Sequence, residues 1–517
     1  MKPIRLVRGF LTVGGWTMAS RILGFARDMM IAAYLGAGPV AEAFLIAFSL
    51  PNLFRRFFAE GAFNTAFIPI FSKKLEGGEN AQGFAREAMG GLASILIVLT
   101  VIANLAMPWL VLAMASGFAA DERLALATQY GRIAFPYILF ISLGALLSGV
   151  LNAAGHFAAA AAAPVLLNVT FVLSLVLADH YGWPIGIALA WAVPIAGVAQ
   201  LALVWVAAWR AGFKIVPARP RLSPDMKRLI RIAIPAMLAG GVVQINLLVG
   251  RQVASQFDGA IAWLNYADRL YQLPLGVVGI AIGVVLLPDL SRRLRAGDSE
   301  GGRYSFSRAG EFALLLTIGP AIALLVAALP ITSVLFERGR FTHADAVATA
   351  WAVAIYGMGL PAFVLQKVLQ PLYFSRENTR TPFNYAVVAL VVNAVIAVGL
   401  APFVGFLSAA IGTTLAGWAM VAQLWFGART MGESARFDAR FMRRVPRIVI
   451  SGLVMGAAVW AVCYGVPQAF TTPGLRGLSM LGLVIGGMAV YFGTAIAIGA
   501  VHLSDFRAAM RRGKGGM

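Results

Sequence analysis

Cysteine and histidine are scarce in this chain, and their scarcity excludes several kinds of site. The 517 residues include one cysteine, Cys463, and four histidines. A lone cysteine cannot form an intrachain disulfide or a cysteine-based metal centre. The histidines are scattered near the ends of predicted helices, so they do not indicate a metal cluster. We therefore expect no disulfide framework, no metal site and no cofactor.

Charged residues are equally rare. They make up 12% of the chain, whereas hydrophobic residues make up 60% and the mean hydropathy is +0.80. Soluble globular domains carry about 25% charged residues, so the composition predicts a polytopic membrane protein. The polar gaps between apolar segments are too short for a soluble catalytic domain, and the G-x-x-x-x-G-K-[ST] loop of ATP-driven pumps is absent. We therefore expect a protein that is not an enzyme.

The chain instead contains a series of long apolar segments. A membrane-spanning helix needs about 20 apolar residues, and fourteen segments qualify. The basic and then apolar start resembles a signal peptide, but it lacks a cleavage site and is predicted to remain as the first helix. The predicted spans are residues 9–35, 42–70, 88–114, 128–152, 160–179, 184–209, 229–252, 260–290, 308–335, 345–373, 382–402, 405–428, 445–466 and 476–503.

Lysine and arginine are distributed unequally between the loops. If the N-terminus lies in the cytoplasm, most of the 42 lysines and arginines fall in cytoplasmic segments, as the positive-inside rule requires. Fourteen spans then return the C-terminus to the cytoplasm as well. The net charge of +20 is therefore interpreted as a consequence of membrane topology, and no nucleic-acid partner is predicted.

Proline motifs recur in the two halves of the chain. A Leu-Pro pair ending at Pro51 in the second span corresponds to one ending at Pro274 in the eighth, and Pro136 in the fourth span corresponds to Pro361 in the tenth. Two similar halves about a central cavity are a common transporter plan. We expect an all-α fold with two six-helix lobes around a central cavity and two extra C-terminal helices. The predicted boundaries are 1–211 for helices 1–6, 212–440 for helices 7–12, and 441–517 for helices 13 and 14 with a basic tail.

Charges inside the predicted spans are the unusual feature of the sequence. A charged side chain at the centre of a membrane helix costs about 2.5–3.5 kcal/mol on insertion scales. Several arginines facing lipid would cost on the order of 10 kcal/mol by that scale, so we expect them to face a water-filled cavity that accommodates an anion. Lys367 in the tenth span has no acidic neighbour, and no role is assigned to it. The charged residues in the first two spans are Arg21, Arg27, Asp28, Glu42, Arg55, Arg56 and Glu60.

Structural alternatives stay open for these residues. An arginine–aspartate pair in the first span could anchor helices instead of binding a ligand. Arg56 and Glu60 are four residues apart and can pair on one helix face, which leaves Arg55 as the freer charge. Arg269 in the eighth span is the expected counterpart in the second half, and a local bond with Asp268 is its alternative.

Three stretches of the sequence resemble the MurJ (MviN) family of lipid II flippases. They are residues 20–28 (SRILGFARD), 50–63 (LPNLFRRFFAEGAF) and 266–270 (YADRL). The resemblance covers nearly the whole chain and implies membership of the multidrug/oligosaccharidyl-lipid/polysaccharide exporter superfamily. In that family two six-helix lobes form a V and two further helices build a groove for the lipid tail, which agrees with the helix count above.

The resemblance also implies a substrate, site residues and a location. The substrate would be lipid II, which is undecaprenyl pyrophosphate carrying the peptidoglycan disaccharide-pentapeptide, and the protein would serve cell-wall biogenesis and cell shape from the inner membrane. The planar fork of an arginine can bind a pyrophosphate bidentately. The corresponding cavity arginines are Arg21, Arg27, Arg55 and Arg269. Supporting roles in the cavity or its gate are implied for Ser20, Asp28, Glu42, Arg56, Glu60 and Asp268. Membrane lipids and cell-wall synthesis proteins are the implied partners.

The expected function is transport of lipid II from the cytoplasmic to the periplasmic leaflet by alternating access. The alternative is a flippase or exporter of another polyprenyl-linked glycan or small molecule in the same superfamily. Drug exporters handle cations and would need carboxylates rather than arginines in the cavity. A glycosyltransferase would need a large extramembrane loop with catalytic acids. No residue pattern identifies a coupling ion.

Overall fold

The computed structural model describes residues 5–55, 62–472 and 474–501 of the chain. Every regular element in those ranges is helical, since a helix satisfies its backbone hydrogen-bonding groups within one apolar segment. The predicted all-α membrane fold is confirmed. Each predicted span coincides with one helix or with two consecutive helices.

Nine α-helices lie in the described part of the first half. Predicted spans 1, 5 and 6 are single helices, and spans 3 and 4 each comprise two. Span 2 contains α2 and α3, which lie on either side of residues 56–61, outside the described ranges. The helices are α1 (Arg5–Leu35), α2 (Pro39–Arg55), α3 (Ala62–Glu76), α4 (Ala81–Leu105), α5 (Met107–Met114), α6 (Glu122–Ala134), α7 (Tyr137–Ala153), α8 (Ala158–Tyr181) and α9 (Ile185–Arg210).

The described part of the second half continues with ten α-helices. Span 9 comprises two helices, and a single turn, α18, precedes the last span. The helices are α10 (Pro224–Ala254), α11 (Ala260–Arg295), α12 (Ser299–Val326), α13 (Ala328–Phe336), α14 (His343–Phe374), α15 (Arg380–Val404), α16 (Leu407–Ala428), α17 (Ala439–Gly465), α18 (Gln468–Thr471) and α19 (Arg476–Ala497).

The third span of each half is interrupted at one residue. Ala106 separates α4 from α5, and Ala327 separates α12 from α13. A proline follows each break, at Pro108 and Pro330, where it cannot donate the backbone hydrogen bond that would continue the helix. The same interruption at the same place in both halves supports the internal repeat.

Ten stretches of the described residues are apolar and long enough to cross a membrane by composition alone. The arginines that the sequence analysis assigned to substrate binding lie on three other helices, α1, α2 and α11.

The chain divides into two compact units. Unit 1 comprises Met1–Ala262 together with Arg338–Phe341, and unit 2 comprises Trp263–Glu337 and Thr342–Met517. In unit 1, α8 packs against both α1 and α9, and α10 packs against α3. In unit 2, α14 packs between α12 and α16. The boundaries predicted at residues 211 and 440 remain predictions.

The two additional helices of unit 2 are held on α12 by a close glycine contact and by a hydrogen bond. On α17, a Cβ at Gly456 would lie 2.6 Å from a methyl carbon of Ile322, so the glycine permits the close approach of α17 to α12. From α19, the hydroxyl of Tyr491 donates a hydrogen bond to the Leu315 carbonyl at 2.7 Å. Both helices are therefore integral parts of unit 2.

Candidate anion-binding site

Arg27 lies in the second half of α1, and its guanidinium donates three side-chain hydrogen bonds. Its side chain is almost buried, with 6% of its surface exposed. Its Nε and Nη2 donate to Asp28 Oδ1 at 3.0 and 2.7 Å, and its Nη1 donates to Asn168 Oδ1 at 3.0 Å. The guanidinium carbon also lies 5.4 Å from the centroid of the Phe171 ring. These contacts fix the orientation of the guanidinium.

Asn168 of α8 connects this arginine to the backbone of α1. Its Nδ2 donates to the Ser20 carbonyl at 2.9 Å and lies 3.3 Å from the Ser20 hydroxyl. Both the oxygen and the nitrogen of the amide are therefore hydrogen-bonded, as buried polar groups generally are. The sequence analysis did not single out Asn168. The sequence signal that could have identified Asn168 is a polar side chain inside an apolar helix.

Arg21 and Arg55 lie on the same unit in less enclosed positions. Both side chains are half-buried, and Arg55 is the last residue of α2. The last described turn of α2 is packed through Phe54, whose ring lies edge-to-face on the buried Phe135 with centroids 5.4 Å apart. Arg55 therefore lies next to a packed position of unit 1. The predicted pair of Arg56 and Glu60 lies outside the described residues.

Glu42 belongs to a second charge cluster in unit 1, which we call the Arg123 cluster and define as Glu42, Asp121, Arg123 and Asp258. The carboxylate of Glu42 is 1% exposed and accepts a hydrogen bond from Arg123 Nη1 at 2.8 Å and from the Ile261 backbone N–H at 3.0 Å. Arg123 also pairs with Asp121 at 2.6 Å and with Asp258 at 3.1 Å. The cluster ties the first turn of α2 to α6 and to the start of α11.

Asp121 lies in a loop, immediately before the start of α6. Its hydrogen bond with the Arg123 guanidinium holds the pKa of its carboxyl below the ordinary value, because the bond and the opposite charge favour the ionised form. The pairing of Glu42 with Arg123 was not predicted, since 81 residues separate the two.

Residues 338–341 contact the end of α1, at the same end of unit 1 as the Arg123 cluster. The Arg340 backbone N–H donates to the Ala33 carbonyl at 2.8 Å near the end of α1. Gly36 and Gly339 have positive φ angles of 68° and 59°. A Cβ at Gly36 would lie 2.6 Å from the Arg340 carbonyl oxygen, so this approach requires glycine. Residues 338–341 thus pack on the α1–α2 turn, at the end predicted to be extracytoplasmic.

Arg269 and Asp268 lie in unit 2, on α11. Both side chains are half-buried, and Asp268 accepts a hydrogen bond from Gln272 one turn later. Tyr271, two residues after Arg269, packs against Tyr356 and Phe363 of α14 in tilted ring contacts, with centroids 5.0 and 5.5 Å apart. The aromatic contacts fix this part of α11 against α14.

The structure therefore brings some of the predicted site residues into contact with one another. It brings Arg27, Asp28 and Ser20 together through Asn168, and it joins Glu42 to Arg123. Arg21 and Arg55 share unit 1 with them, and Asp268 and Arg269 share unit 2. A set of guanidinium groups on membrane helices can bind and orient an anion, and these residues offer no nucleophile–base pair for covalent chemistry.

Comparison with known proteins identifies close relatives. A family model described as "Lipid II flippase MurJ" matches residues 31–482. A protein of Rhizobium meliloti (strain 1021) named "Probable lipid II flippase MurJ" is 44% identical over 522 residues, which is 98% of this chain and 97% of the relative. The "Lipid II flippase MurJ" of Burkholderia cenocepacia is 39% identical over 416 residues, which is 78% of this chain and 80% of the relative.

Solved structures show the same fold at lower sequence identity. A structure titled "Lipid II flippase MurJ, inward closed conformation" matches with a TM-score of 0.78 and 24% identity, covering 94% of this chain and 98% of that chain. An inward-facing multidrug resistance MATE family transporter of the MOP superfamily matches with a TM-score of 0.67 and 13% identity, covering 82% of this chain and 98% of that chain.

Proposed function

The chain belongs to the MurJ family of lipid II flippases, and we propose that it carries lipid II from the cytoplasmic to the periplasmic leaflet of the inner membrane. The observation that carries this proposal is the family match over residues 31–482, and the arginines within α1, α2 and α11 support it. The protein would act as a transporter rather than an enzyme. Both termini would lie in the cytoplasm, and cell-wall synthesis proteins would be its partners.

Arg27 is the arginine whose bonding best supports pyrophosphate binding. A guanidinium has five N–H donors, and the contacts with Asp28 and Asn168 use three of them. Two donors remain for a phosphate oxygen without breaking the bonds that orient the group. Asp28 also offsets one positive charge, which reduces the repulsion among the arginines when no substrate is bound. We propose that Arg21, Arg27, Arg55 and Arg269 share the pyrophosphate.

Alternating access requires an extracytoplasmic gate, and the Arg123 cluster supports one. Release of the headgroup on the far side would require α2, α6 and the start of α11 to separate. Each charged group of the cluster would then lose its ionic partner. Water would have to enter and solvate these groups to offset that loss. We propose that Glu42 acts in this gate rather than in substrate binding. Movement of arginine charges across the membrane would also respond to the membrane potential, by about 2.3 kcal/mol per charge per 100 mV.

A test in cells can separate this function from transport of another substrate. Cells depleted of their own flippase would be supplied with this chain, and lipid II exposed on the outer face of the inner membrane would be measured. We expect exposure to return with the unmodified chain and with Arg210→Ala, an exposed arginine at the end of α9. We expect no return with Arg27→Ala at equal membrane abundance. No return with the unmodified chain would refute lipid II as the substrate and favour another polyprenyl-linked or small molecule.

A further inference from the structure

The connection between α9 and α10 is packed against unit 1 and is not a free surface loop. Two of its apolar side chains, Phe213 and Ile215, are buried. The ring of Phe213 lies edge-to-face on Phe71 of α3, with centroids 6.1 Å apart. The Ala218 backbone N–H donates a hydrogen bond to the Arg86 carbonyl of α4 at 3.0 Å. The connection therefore holds the start of α10 close to α3 and α4.

The first turn of α10 adds polar contacts to the same two helices. Ser223, the N-cap residue of α10, donates from its hydroxyl to Glu87 Oε2 of α4 at 2.8 Å. Asp225 in that turn pairs with Lys74 of α3 at 2.9 Å. The positive-inside rule assigns this end of α10 to the cytoplasm. The cytoplasmic end of α10 is therefore joined to unit 1.

The opposite end of α10 is joined to unit 1 by a separate set of contacts. Ser116 and Gly117 begin the 3-10 helix that follows α5. The Ser116 backbone N–H donates to Gln252 Oε1 at 3.0 Å, and its hydroxyl accepts from Gln256 Nε2 at 3.0 Å. A Cβ at Gly117 would overlap the Ser255 carbonyl oxygen, so the close approach of the two segments requires glycine. The extracytoplasmic end of α10 is therefore fixed as well.

Contacts at both ends distinguish α10 from a helix that rocks against unit 1. The helix has 31 residues, which corresponds to a length of about 46 Å at 1.5 Å per residue. In alternating access, one lobe rocks against the other as a rigid body. A helix of the moving lobe would then touch its neighbour at one end and separate from it at the other. α10 instead packs against α3, α4 and α5, and it lies entirely within unit 1.

We propose that α10 moves with unit 1 during transport, so that the chain passes from one moving body to the other after Gln256. The proposal rests on the alternating access of the proposed function and adds which helices move together. The alternative is the predicted lobe boundary at residue 211, which assigns α10 to the second lobe. Opening of the proposed gate would separate the start of α11 from α2, while the end of α10 stays on the 3-10 helix. The side of unit 1 formed by α3, α4 and α5 would remain covered by α10 in every state.

The first test is to cross-link each end of α10 to its neighbour in unit 1. Cys463 is the single cysteine, so Cys463→Ser provides the background. Glu87→Cys with Ser223→Cys links the cytoplasmic end, and Ser116→Cys with Gln256→Cys links the opposite end. A short bis-thiosulfonate reagent joins each pair, and a reductant releases it. With either pair linked, we expect lipid II flipping in proteoliposomes to retain at least half of the rate of the same protein after reduction.

A helix of the second lobe would give the opposite result. Linking either end would then hold the lobes in one state, and the flipping rate would fall to that of protein-free vesicles and recover on reduction. That result would overturn the proposal and support the boundary at residue 211.

A cross-link at the proposed gate is the matched control. The Ile261 backbone N–H of α11 donates to Glu42 of α2 at 3.0 Å, so Glu42→Cys with Ile261→Cys should stop flipping when linked and restore it on reduction. Full flipping with this pair linked would also overturn the proposal, because no separation would then occur after Gln256. Absence of flipping by the unmodified chain would instead refute the proposed function.

A second test needs no cross-link and holds even if the cysteine pairs react poorly. Spin labels would be placed at exposed apolar positions, Ile97 of α4 with Ile234 of α10 in one protein and Ile97 with Trp351 of α14 in another. Double electron–electron resonance would give both distances in proteoliposomes with and without lipid II. We expect the α4–α10 distance to stay unchanged and the α4–α14 distance to shift. An α4–α10 distance that shifts together with the α4–α14 distance would overturn the proposal.

Discussion

Asn168 offers the sharpest test of how the candidate site is built. It contributes no charge, yet it accepts a hydrogen bond from Arg27 at 3.0 Å and donates one to the Ser20 carbonyl at 2.9 Å. Asn168→Leu keeps the approximate size of the side chain and removes both bonds. If Arg27 acts on the substrate, its loss of orientation should impair transport although every charge is retained.

The magnitude follows from the bonds that are lost. A hydrogen bond to a charged group contributes about 1.5–3 kcal/mol, and a neutral one about 1 kcal/mol. If only the bond to Arg27 affects transport, the rate should fall roughly 10- to 150-fold, since about 1.4 kcal/mol corresponds to a factor of ten. The bond to Ser20 should affect mainly the packing of α8 on α1, and hence thermal stability.

The assay is the flipping rate of lipid II in proteoliposomes with equal amounts of folded protein. Asn393→Ala is a suitable control, because Asn393 is also a buried asparagine of a membrane helix but lies on α15. We expect the control to retain at least half of the unmodified rate. A normal rate for Asn168→Leu would refute the idea that the orientation of Arg27 matters.

Three further predictions concern the gate, the packing of the additional helices and the effect of acid. Glu42→Gln removes the charge that faces Arg123 at 2.8 Å and should loosen the gate. A cysteine introduced at the buried Ala43 should then react faster with a thiol reagent added from the extracytoplasmic side. Unchanged reactivity would argue against a gate. Gly456→Leu should lower the melting temperature of the purified protein, because overpacking costs about 1–3 kcal/mol. Gly482→Leu is the control, since a Cβ there meets nothing within 4 Å, and it should leave the melting temperature unchanged. Equal effects of the two substitutions would contradict the packing of α17 on α12. Because the pKa of Asp121 is lowered on folding, its stabilising contribution is present above the unfolded value and lost as pH falls through the lower folded one. Asp121→Asn should therefore flatten the acid side of the stability–pH profile, and an unchanged profile would exclude the contribution.

Much of the helix architecture could be predicted from sequence, because apolar length and basic loops report directly on membrane spans. The breaks at Ala106 and Ala327 could not, because a single-residue interruption leaves the apolar run intact. The boundaries between lobes also remain predictions. The division into compact units depends on packing between helices, which hydropathy does not describe.

The candidate site was predictable in its charges but not in its contacts. Arg27 and Arg269 stood out because a charged group inside an apolar segment is costly. Asn168 and Arg123 did not, since the first is neutral and the second lies near a loop. Their roles depend on partners 141 and 81 residues away, and the sequence alone does not specify such pairings.

The most direct test of the central claim is lipid II translocation by the purified chain. Fluorescent lipid II would be placed in both leaflets of proteoliposomes, and the loss of inner-leaflet signal to an external quencher would be followed over time. We predict rapid loss with the unmodified chain and loss no faster than protein-free vesicles with Arg269→Ala. Equal rates for the two proteins would contradict the account, because substrate would then cross without the arginine that unit 2 contributes.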